Sequence, residues 1–328
     1  MLLEVKNLKT EFKLKRGTVR AVDDVSFTID KGEILAIVGE SGSGKSVTSL
    51  SIMGLLQNPG KIAGGEILFK SQDLNKMNQK ELQKIRGNEI SMIFQEPMTS
   101  LNPVYRIKDQ IMENILTHME ISKKEALERT VKMLETVGIP SPAERANDYP
   151  HQMSGGMRQR VMIAMALSCD PELLIADEPT TALDVTIQAQ ILELLYNMRE
   201  KFNMAVMLIT HDLGVVAEAA DRVIVMYCGK IVEEANVKSL FKNPLHPYTV
   251  GLLNSIPQID NDSDERLYMI KGMVPNPLHM PSGCSFSDRC EHCMERCTKE
   301  TPELREIDGH KVRCFLYDET KEGELKVK

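Results

Sequence analysis

Residues 39–46 of the chain (GESGSGKS) match the pattern G-x-x-x-x-G-K-[ST] of a phosphate-binding loop. The run 33–38 (EILAIV) before them predicts a buried strand, and residues 47–55 after them are typical of a helix. Such a junction turns free backbone N–H groups and the positive end of a helix dipole towards an anion. We therefore expect Lys45 to contact the β- and γ-phosphates of a nucleotide and the Ser46 hydroxyl to coordinate Mg²⁺.

Two acids follow a second apolar run, residues 173–176, which predicts another buried strand. Asp177 suits direct or indirect Mg²⁺ binding, and Glu178 can polarise an attacking water. An exposed acidic pair at a strand end would explain these two residues if they stood alone. Together with a phosphate-binding loop, they indicate nucleotide hydrolysis.

Gln95 and His211 also stand at the ends of predicted strands, 89–94 and 205–210. The Gln95 amide can contact Mg²⁺ and the attacking water, and the His211 imidazole can hydrogen-bond a γ-phosphate. We expect both to belong to the catalytic group with Glu178.

The segment 153–157 (MSGGM) predicts a second anion site, because Ser154, Gly155 and Gly156 open a helix with a hydroxyl and free N–H groups. One nucleotide cannot easily use this site and the phosphate-binding loop of the same chain. It can use both if two subunits pair head to tail.

In order along the chain, these motifs resemble the Walker A, Q-loop, signature, Walker B, D-loop (residues 181–184, TALD) and H-loop of ABC-type ATPases, over about residues 1 to 240. The resemblance implies an α/β fold: a RecA-like parallel sheet core, an antiparallel β part and a helical subdomain. It implies ATP and Mg²⁺ as ligands. The signature differs in one place, since Met157 stands where the family usually has Gln.

The nucleotide-binding residues implied by the resemblance are Phe12, Gly39, Glu40, Ser41, Gly42, Ser43, Gly44, Lys45, Ser46, Val47, Ser154, Gly155 and Gly156. Phe12 precedes a predicted basic loop, 13–20, and falls where the family places its adenine-stacking aromatic residue. Spacing alone is explained as well by a core phenylalanine at a strand end.

Composition narrows the class of protein. The chain has 328 residues, enough for two or three domains, and a formal net charge of −7, which argues against a dedicated nucleic-acid binder. No apolar run approaches the roughly 18 residues of a membrane span, and the N-terminal residues lack a secretory pattern. We expect a cytoplasmic protein that reaches a membrane through partner subunits.

The domain organisation follows from where strands and helices alternate. Residues 1–96 and 154–242 predict the ATPase core, and residues 97–153, with apolar residues at helical spacing, predict a helical insertion. Residues 243–328 are richer in proline, lose the alternation, and predict a separate Cys-rich C-terminal domain.

Within that region, residues 243–249 (NPLHPYT) resemble the motif that follows the cassette in dipeptide and oligopeptide ABC importers. Five cysteines follow with the spacing C-x5-C-x2-C-x3-C-x16-C. The resemblance implies a [4Fe-4S] cluster on Cys284, Cys290, Cys297 and Cys314, with Cys293 as an extra cysteine. Spacing alone leaves structural zinc, free thiols and disulfides open.

The hypothesis is therefore ATP hydrolysis that powers import of dipeptides or oligopeptides. The implied partners are a second related ATPase subunit (in a hetero- or homodimer), two membrane-spanning permease subunits and an extracytoplasmic peptide-binding protein, with the chain at the cytoplasmic face of the membrane. Import of nickel or another small chelate is the alternative. A DNA-repair or translation ATPase is disfavoured, because the sequence has neither a long coiled-coil insertion nor a second cassette.

Overall fold

The computed structural model describes residues 1–95, 100–181, 184–256 and 268–318. Its strands are β1 (Leu3–Leu14), β2 (Gly17–Ile29), β3 (Ile34–Val38), β4 (Gly60–Phe69), β5 (Gln72–Asp73), β6 (Ile90–Ile93), β7 (Leu173–Asp177), β8 (Ala205–Ile209), β9 (Arg222–Tyr227), β10 (Lys230–Asn236), β11 (Arg305–Ile307) and β12 (His310–Val312).

The α-helices are α1 (Lys45–Ile52), α2 (Gln79–Ile85), α3 (Ile107–His118), α4 (Lys123–Thr136), α5 (Pro142–Arg145), α6 (Gly155–Leu167), α7 (Val185–Phe202), α8 (Leu213–Ala219), α9 (Val237–Lys242), α10 (Pro247–Asn254) and α11 (Glu295–Lys299). In the described ranges, no helix is both long enough and apolar enough to cross a lipid bilayer.

The main sheet has the strand order β11-β12-β10-β9-β3-β8-β7-β6. Its strands β9, β3, β8, β7 and β6 pair in parallel. Their side chains are nearly all buried, which is why their sequences are continuous apolar runs rather than alternating ones. The predicted parallel core is thereby confirmed.

Alternate residues of these strands enter two different cores. Ala36 and Val38 pack in the core that contains α3, α4, α6 and α7. Leu35 and Ile37 pack on the other face, in the core built with the second sheet, which is antiparallel and has the order β2-β1-β4-β5. The period of two in a strand therefore fixes which layer each residue joins.

The β1–β2 hairpin corrects the predicted basic loop at 13–20. Pairing continues through Lys13↔Thr18 to Leu14↔Gly17, so the strands extend almost to the tip. Cross-strand hydrogen bonds satisfy the backbone there whatever the polarity of the side chains. On its other side β1 pairs with β4, from Leu3↔Phe69 to Phe12↔Gly60.

The C-terminal region is attached to the core sheet. The β11–β12 hairpin continues the sheet through β12, which pairs with β10 at Glu233↔Val312 and Glu234↔Lys311. Sequence patterning missed this junction, because the two strands have only three residues each. The predicted start of the helical insertion at Pro97 and the D-loop residues Ala182 and Leu183 lie outside the described residues.

A buried carboxyl group holds this region in place. Glu233 is fully buried and accepts hydrogen bonds from the backbone N–H groups of Leu245 (2.8 Å) and His246 (2.9 Å). His310 Nδ1 lies 3.2 Å from the same side chain. One residue of the core sheet therefore fixes two separate segments of the C-terminal region.

We predict that Glu233→Ala lowers stability by about 3 kcal/mol, because it leaves the buried N–H of His246 and the partly buried N–H of Leu245 without acceptors. Thermal unfolding monitored by circular dichroism would show a lower melting temperature, and limited proteolysis would cut the C-terminal region faster. Glu306→Ala, at an exposed glutamate in β11, is the control. Equal melting temperatures for the two variants would contradict this role.

Candidate functional site

The predicted catalytic residues gather at one edge of the parallel sheet. The neighbouring strands β3, β8, β7 and β6 end at this edge, and they lead into the phosphate-binding loop, His211, Glu178 and Gln95 respectively. Because the carboxyl ends of parallel strands share an edge, residues distant in sequence become neighbours there. The strand order alone explains why these motifs meet.

Two glycines of the phosphate-binding loop are required by close backbone approaches. A Cβ atom at Gly39 would lie 2.2 Å from the Met226 carbonyl oxygen, and one at Gly44 would lie 2.5 Å from that of Ala21. Both glycines also have positive φ angles, 150° and 103°. The loop can therefore fold tightly between β2, β9 and α1, and the helix begins at Lys45 rather than at the predicted residue 47.

The remaining residues of the phosphate-binding loop differ in how far they are exposed to solvent. Ser41 and Gly42 are exposed at the tip, Glu40, Ser46 and Val47 are half-buried, and Ser43 is buried. The exposed tip leaves room for an anion, while the buried positions fix the backbone. This arrangement fits the predicted phosphate cradle.

Lys45 is buried within the loop that it closes. Its Nζ donates to the carbonyl oxygens of Gly39 (2.7 Å) and Glu40 (3.1 Å). Burial lowers the pKa of the Lys45 ammonium, and the charges of Glu178, Asp177 and Glu40 oppose that shift. The group is thus a desolvated cation, and an anionic ligand would stabilise its charged form.

Asp177 and Ser46, two of the residues predicted to bind magnesium, contact each other. The Ser46 hydroxyl donates to Asp177 Oδ1 at 3.0 Å. Burial raises the pKa of the Asp177 carboxyl, the Glu178 charge adds to this rise, and Ser46 and Lys45 oppose it. A hydroxyl and a carboxylate oxygen this close are the hard donors that Mg²⁺ prefers.

Glu178 is the meeting point of the predicted catalytic residues. Its Oε2 accepts hydrogen bonds from Gln95 Nε2 and Thr181 Oγ1, both at 2.9 Å, and His211 Nδ1 lies 3.4 Å from Oε1. Its backbone has φ 47°, a left-handed conformation that is uncommon for glutamate. Such conformations cluster at functional sites, where surrounding contacts hold them.

The signature residues lie on a different element. Ser154 caps α6 by accepting from the Met157 N–H at 3.3 Å, and Ser154 and Gly155 are exposed to solvent. Gly156 lies against α7, since a Cβ atom there would be 3.0 Å from Ile187 Cγ2. The exposed Ser-Gly pair is free to face a second molecule.

Phe12 is half-buried in β1 rather than exposed. Its ring packs over Gly60, where a Cβ atom would lie 2.6 Å from Phe12 Cε1. Phe12 pairs with Val19 on one neighbouring strand and with Gly60 on the other. Adenine stacking stays a prediction.

Sequence reasoning missed several contacts that hold the site together. Thr181 bonds Glu178, and the buried Gln159 donates to the Pro179 carbonyl oxygen at 2.5 Å, which ties α6 to the loop after β7. Tyr248 and Arg289, from the C-terminal region, contact Glu40. Tyr248 lies in the NPLHPYT segment, which is a usable signal, whereas nothing in the sequence marks Arg289.

The four predicted cluster cysteines line one small cavity. The cysteines of the described chain are free thiols, and burial raises the pKa of Cys290 to about 11 and that of Cys314 to about 12. Among the described residues, no three His, Cys, Asp or Glu side chains are arranged as a metal site. Iron or zinc binding therefore stays a prediction.

Comparison with known families agrees with this geometry. Residues 22–181 match the "ABC transporter" family model, and residues 232–297 match the model "Oligopeptide/dipeptide transporter, C-terminal region". A solved relative, the dimeric ATP-binding cassette MJ0796 in a post-hydrolysis state with ADP and Pi, has a TM-score of 0.66 and 30% identity. The similarity covers 72% of this chain and 99% of that one.

Two curated relatives extend over nearly the whole chain. The oligopeptide transport ATP-binding protein AppD of Bacillus subtilis is 59% identical over 97% of both chains. The dipeptide transport ATP-binding protein DppD of the same organism is 54% identical over 98% of this chain and 96% of its own. With the Walker A loop, the strand-end acids and the signature helix in place, the chain belongs to the ABC transporter family, as an ABC-type ATPase of the branch that carries the oligopeptide/dipeptide transporter C-terminal region.

Proposed function

We propose that this chain is the ATP-hydrolysing subunit of an importer for dipeptides or oligopeptides. The observation that carries the proposal is 59% identity to an oligopeptide transport ATP-binding protein over 97% of the chain. The matching C-terminal region supports it, since that model describes oligopeptide and dipeptide transporters. The names of these relatives do not favour nickel or another chelate as cargo.

ATP would be held by the loop around Lys45. The Lys45 ammonium now bonds two loop carbonyl groups, and it would exchange them for β- and γ-phosphate oxygens. Ser46, Asp177 and Gln95 would hold Mg²⁺, which neutralises phosphate charge when bound. The 3.0 Å contact between Ser46 and Asp177 supports this assignment.

Glu178 would orient the water that attacks the γ-phosphorus and accept its proton. The bond from the γ-phosphorus to the β–γ bridging oxygen would break, and ADP would leave. The hydrogen bonds from Gln95 and Thr181 hold the Glu178 carboxylate in place. His211, whose side chain is 68% exposed, would turn towards the γ-phosphate. Ser154, Gly155 and Gly156 would complete the site of a second ATPase subunit, head to tail.

A groove beside Gln95 is the proposed docking site of a permease subunit. It has a volume of about 440 Å³ and is lined by residues of the core and of the helical insertion, among them Arg86, Phe94, Glu113 and Met162. Phe94, 39% exposed, immediately precedes Gln95. Movement of Gln95 with nucleotide state would therefore reach the permease directly, at the cytoplasmic face of the membrane.

We also propose the domain limits 1–96 with 154–242 for the core, 97–153 for the helical subdomain and 243–328 for the C-terminal domain. In the last, Cys284, Cys290, Cys297 and Cys314 would hold a [4Fe-4S] cluster. The backbones of Phe286, His292 and Leu316 hydrogen-bond the first, second and fourth of these sulfurs, and the Met294 N–H donates to Cys297 Sγ at 3.4 Å. Such bonds stabilise metal-bound thiolates.

Glu178→Gln should keep ATP binding and reduce hydrolysis at least about 100-fold, because the amide cannot accept the proton. Binding would be measured with a fluorescent ATP analogue and hydrolysis by phosphate release. Glu218→Gln, at an exposed glutamate on α8, is the matched control. Hydrolysis by Glu178→Gln at the parent rate would show that another group activates the water.

Cargo is tested in the assembled transporter, reconstituted in liposomes with its permease and binding subunits. We expect peptides to stimulate ATP hydrolysis several-fold, because closure of the cassettes is coupled to delivery of cargo. Ni²⁺ at the same concentration should not. Stimulation by Ni²⁺ but not by a mixture of di- to pentapeptides would overturn the peptide assignment.

Metal content tests the cysteines. Protein purified without oxygen should contain about four irons and four sulfides per chain. Cys297→Ser should lose most of this iron, whereas Cys293→Ser, at the exposed extra cysteine, should retain it. One zinc and no iron would contradict the iron–sulfur proposal.

A further inference from the structure

The phosphate-binding loop is contacted by residues from beyond the cassette. Glu40, the second residue of the loop, accepts two hydrogen bonds from the Arg289 guanidinium, at 2.6 Å to Oε2 and 3.0 Å to Oε1. Its backbone N–H donates to the Tyr248 hydroxyl at 2.8 Å. Both partners belong to the C-terminal region, 208 and 249 residues away in sequence.

These contacts complete the bonding of Glu40. Its carbonyl oxygen accepts from Lys45, its N–H is taken by Tyr248, and its carboxylate is paired with Arg289. Glu40 is therefore held at three points, and two of these contacts come from outside the ATPase core. A bidentate guanidinium–carboxylate pair fixes orientation as well as distance.

Arg289 itself is firmly held. Its side chain is 4% exposed, and its Nε donates to the Lys271 carbonyl oxygen at 3.1 Å. The guanidinium lies 5.8 Å from the ring centroid of Tyr227 and 5.9 Å from that of Phe286. These aromatic residues are buried with Tyr248, and Tyr227 and Tyr248 have centroids 4.6 Å apart. Arg289 is thus a rigid support rather than a flexible surface side chain.

We propose that Arg289, together with Tyr248, positions the phosphate-binding loop for ATP, so that the C-terminal region sets the ATP affinity of the cassette. Arg289 acts through Glu40: it neutralises and holds a carboxylate that would otherwise lie uncompensated beside the phosphates. This inference rests on the nucleotide-binding part of the proposed function and not on the cargo or on metal in the cysteine cluster. Arg289 and Tyr248 are positioning residues and touch no reacting atom.

The test is a double-mutant cycle on the full chain, with a fluorescent ATP analogue as the probe, since the protein has no tryptophan. Arg289→Ala should raise the Kd for the Mg²⁺ complex of the analogue about tenfold. KM for ATP should rise in parallel while kcat changes less than about twofold, because the lost contacts stabilise the bound ground state and the transition state equally. Arg289→Lys, which keeps the charge, should recover part of the affinity.

In a Glu40→Gln background, the same Arg289→Ala change should alter Kd by less than about twofold, because the carboxylate it compensates is gone. An equal penalty in both backgrounds would overturn the proposal and would point to general damage to the C-terminal region. Arg305→Ala, which removes an exposed arginine paired with Asp318 in the same region, is the matched control and should bind as the parent does.

Tyr248→Phe removes one hydroxyl and should weaken binding severalfold in the same direction. Parent-like Kd values for both Arg289→Ala and Tyr248→Phe would overturn the inference while leaving the ATPase assignment intact. A parent protein that binds no ATP analogue would overturn the nucleotide-binding function and this inference together.

Discussion

The alignment of the parallel strand ends is the constraint on which the site depends. Strands β3, β8, β7 and β6 are largely buried, and apart from the buried Ser91 in β6 their polar residues stand where the strands end. Those ends share one edge, and there the loop lysine, two acids, an amide and an imidazole meet. A slip of one residue in any strand would move its strand-end residue to the opposite face and empty the site.

This edge of the sheet holds two buried groups of opposite charge, which suit a ligand that carries both a cation and an anion. Burial disfavours the charged forms of both Lys45 and Asp177, lowering the pKa of the first and raising that of the second. The charge of each group partly opposes the shift in the pKa of the other, and the Ser46 hydroxyl donates to Asp177. Mg²⁺ and phosphate oxygens bring opposite charges to the two groups, so ligand binding relieves the cost of desolvation on both sides.

Sequence alone predicted the strand-end residues well, because each follows an apolar run that could only be a buried strand. The loop glycines and the order of the motifs also carried enough information to predict the ABC transporter family. The Arg289–Glu40 pair could not be predicted, since it joins residues 249 apart and depends on how the C-terminal region folds back. The β11–β12 hairpin was missed for a similar reason: its strands are too short for periodicity to be visible.

At residues 13–20, local composition predicted the wrong backbone conformation. A polar, basic sequence favoured a loop, yet the hairpin β1–β2 extends through it, because pairing satisfies the backbone regardless of side-chain charge. Local composition predicted the surface correctly and the backbone conformation incorrectly. Long-range contacts, not local preference, decide such segments.

Three separate contacts attach the C-terminal region to the cassette. Strand β12 pairs with β10, and the Glu233 carboxylate accepts hydrogen bonds from the backbone of Leu245 and His246. Arg289 binds Glu40 in the phosphate-binding loop. The phosphate-binding loop also contacts the turn after β9, where the Gly229 N–H donates to the Ser43 carbonyl oxygen at 2.9 Å.

Phe286 follows Cys284 by two residues and Arg289 directly precedes Cys290, so the segment that carries these cysteines also carries the ring that packs against Tyr227 and the guanidinium that binds Glu40. The packed rings leave little room for independent motion. The cysteine cavity and the phosphate-binding loop are therefore connected through one buried segment, because Phe286 lines the cavity and Arg289 binds Glu40.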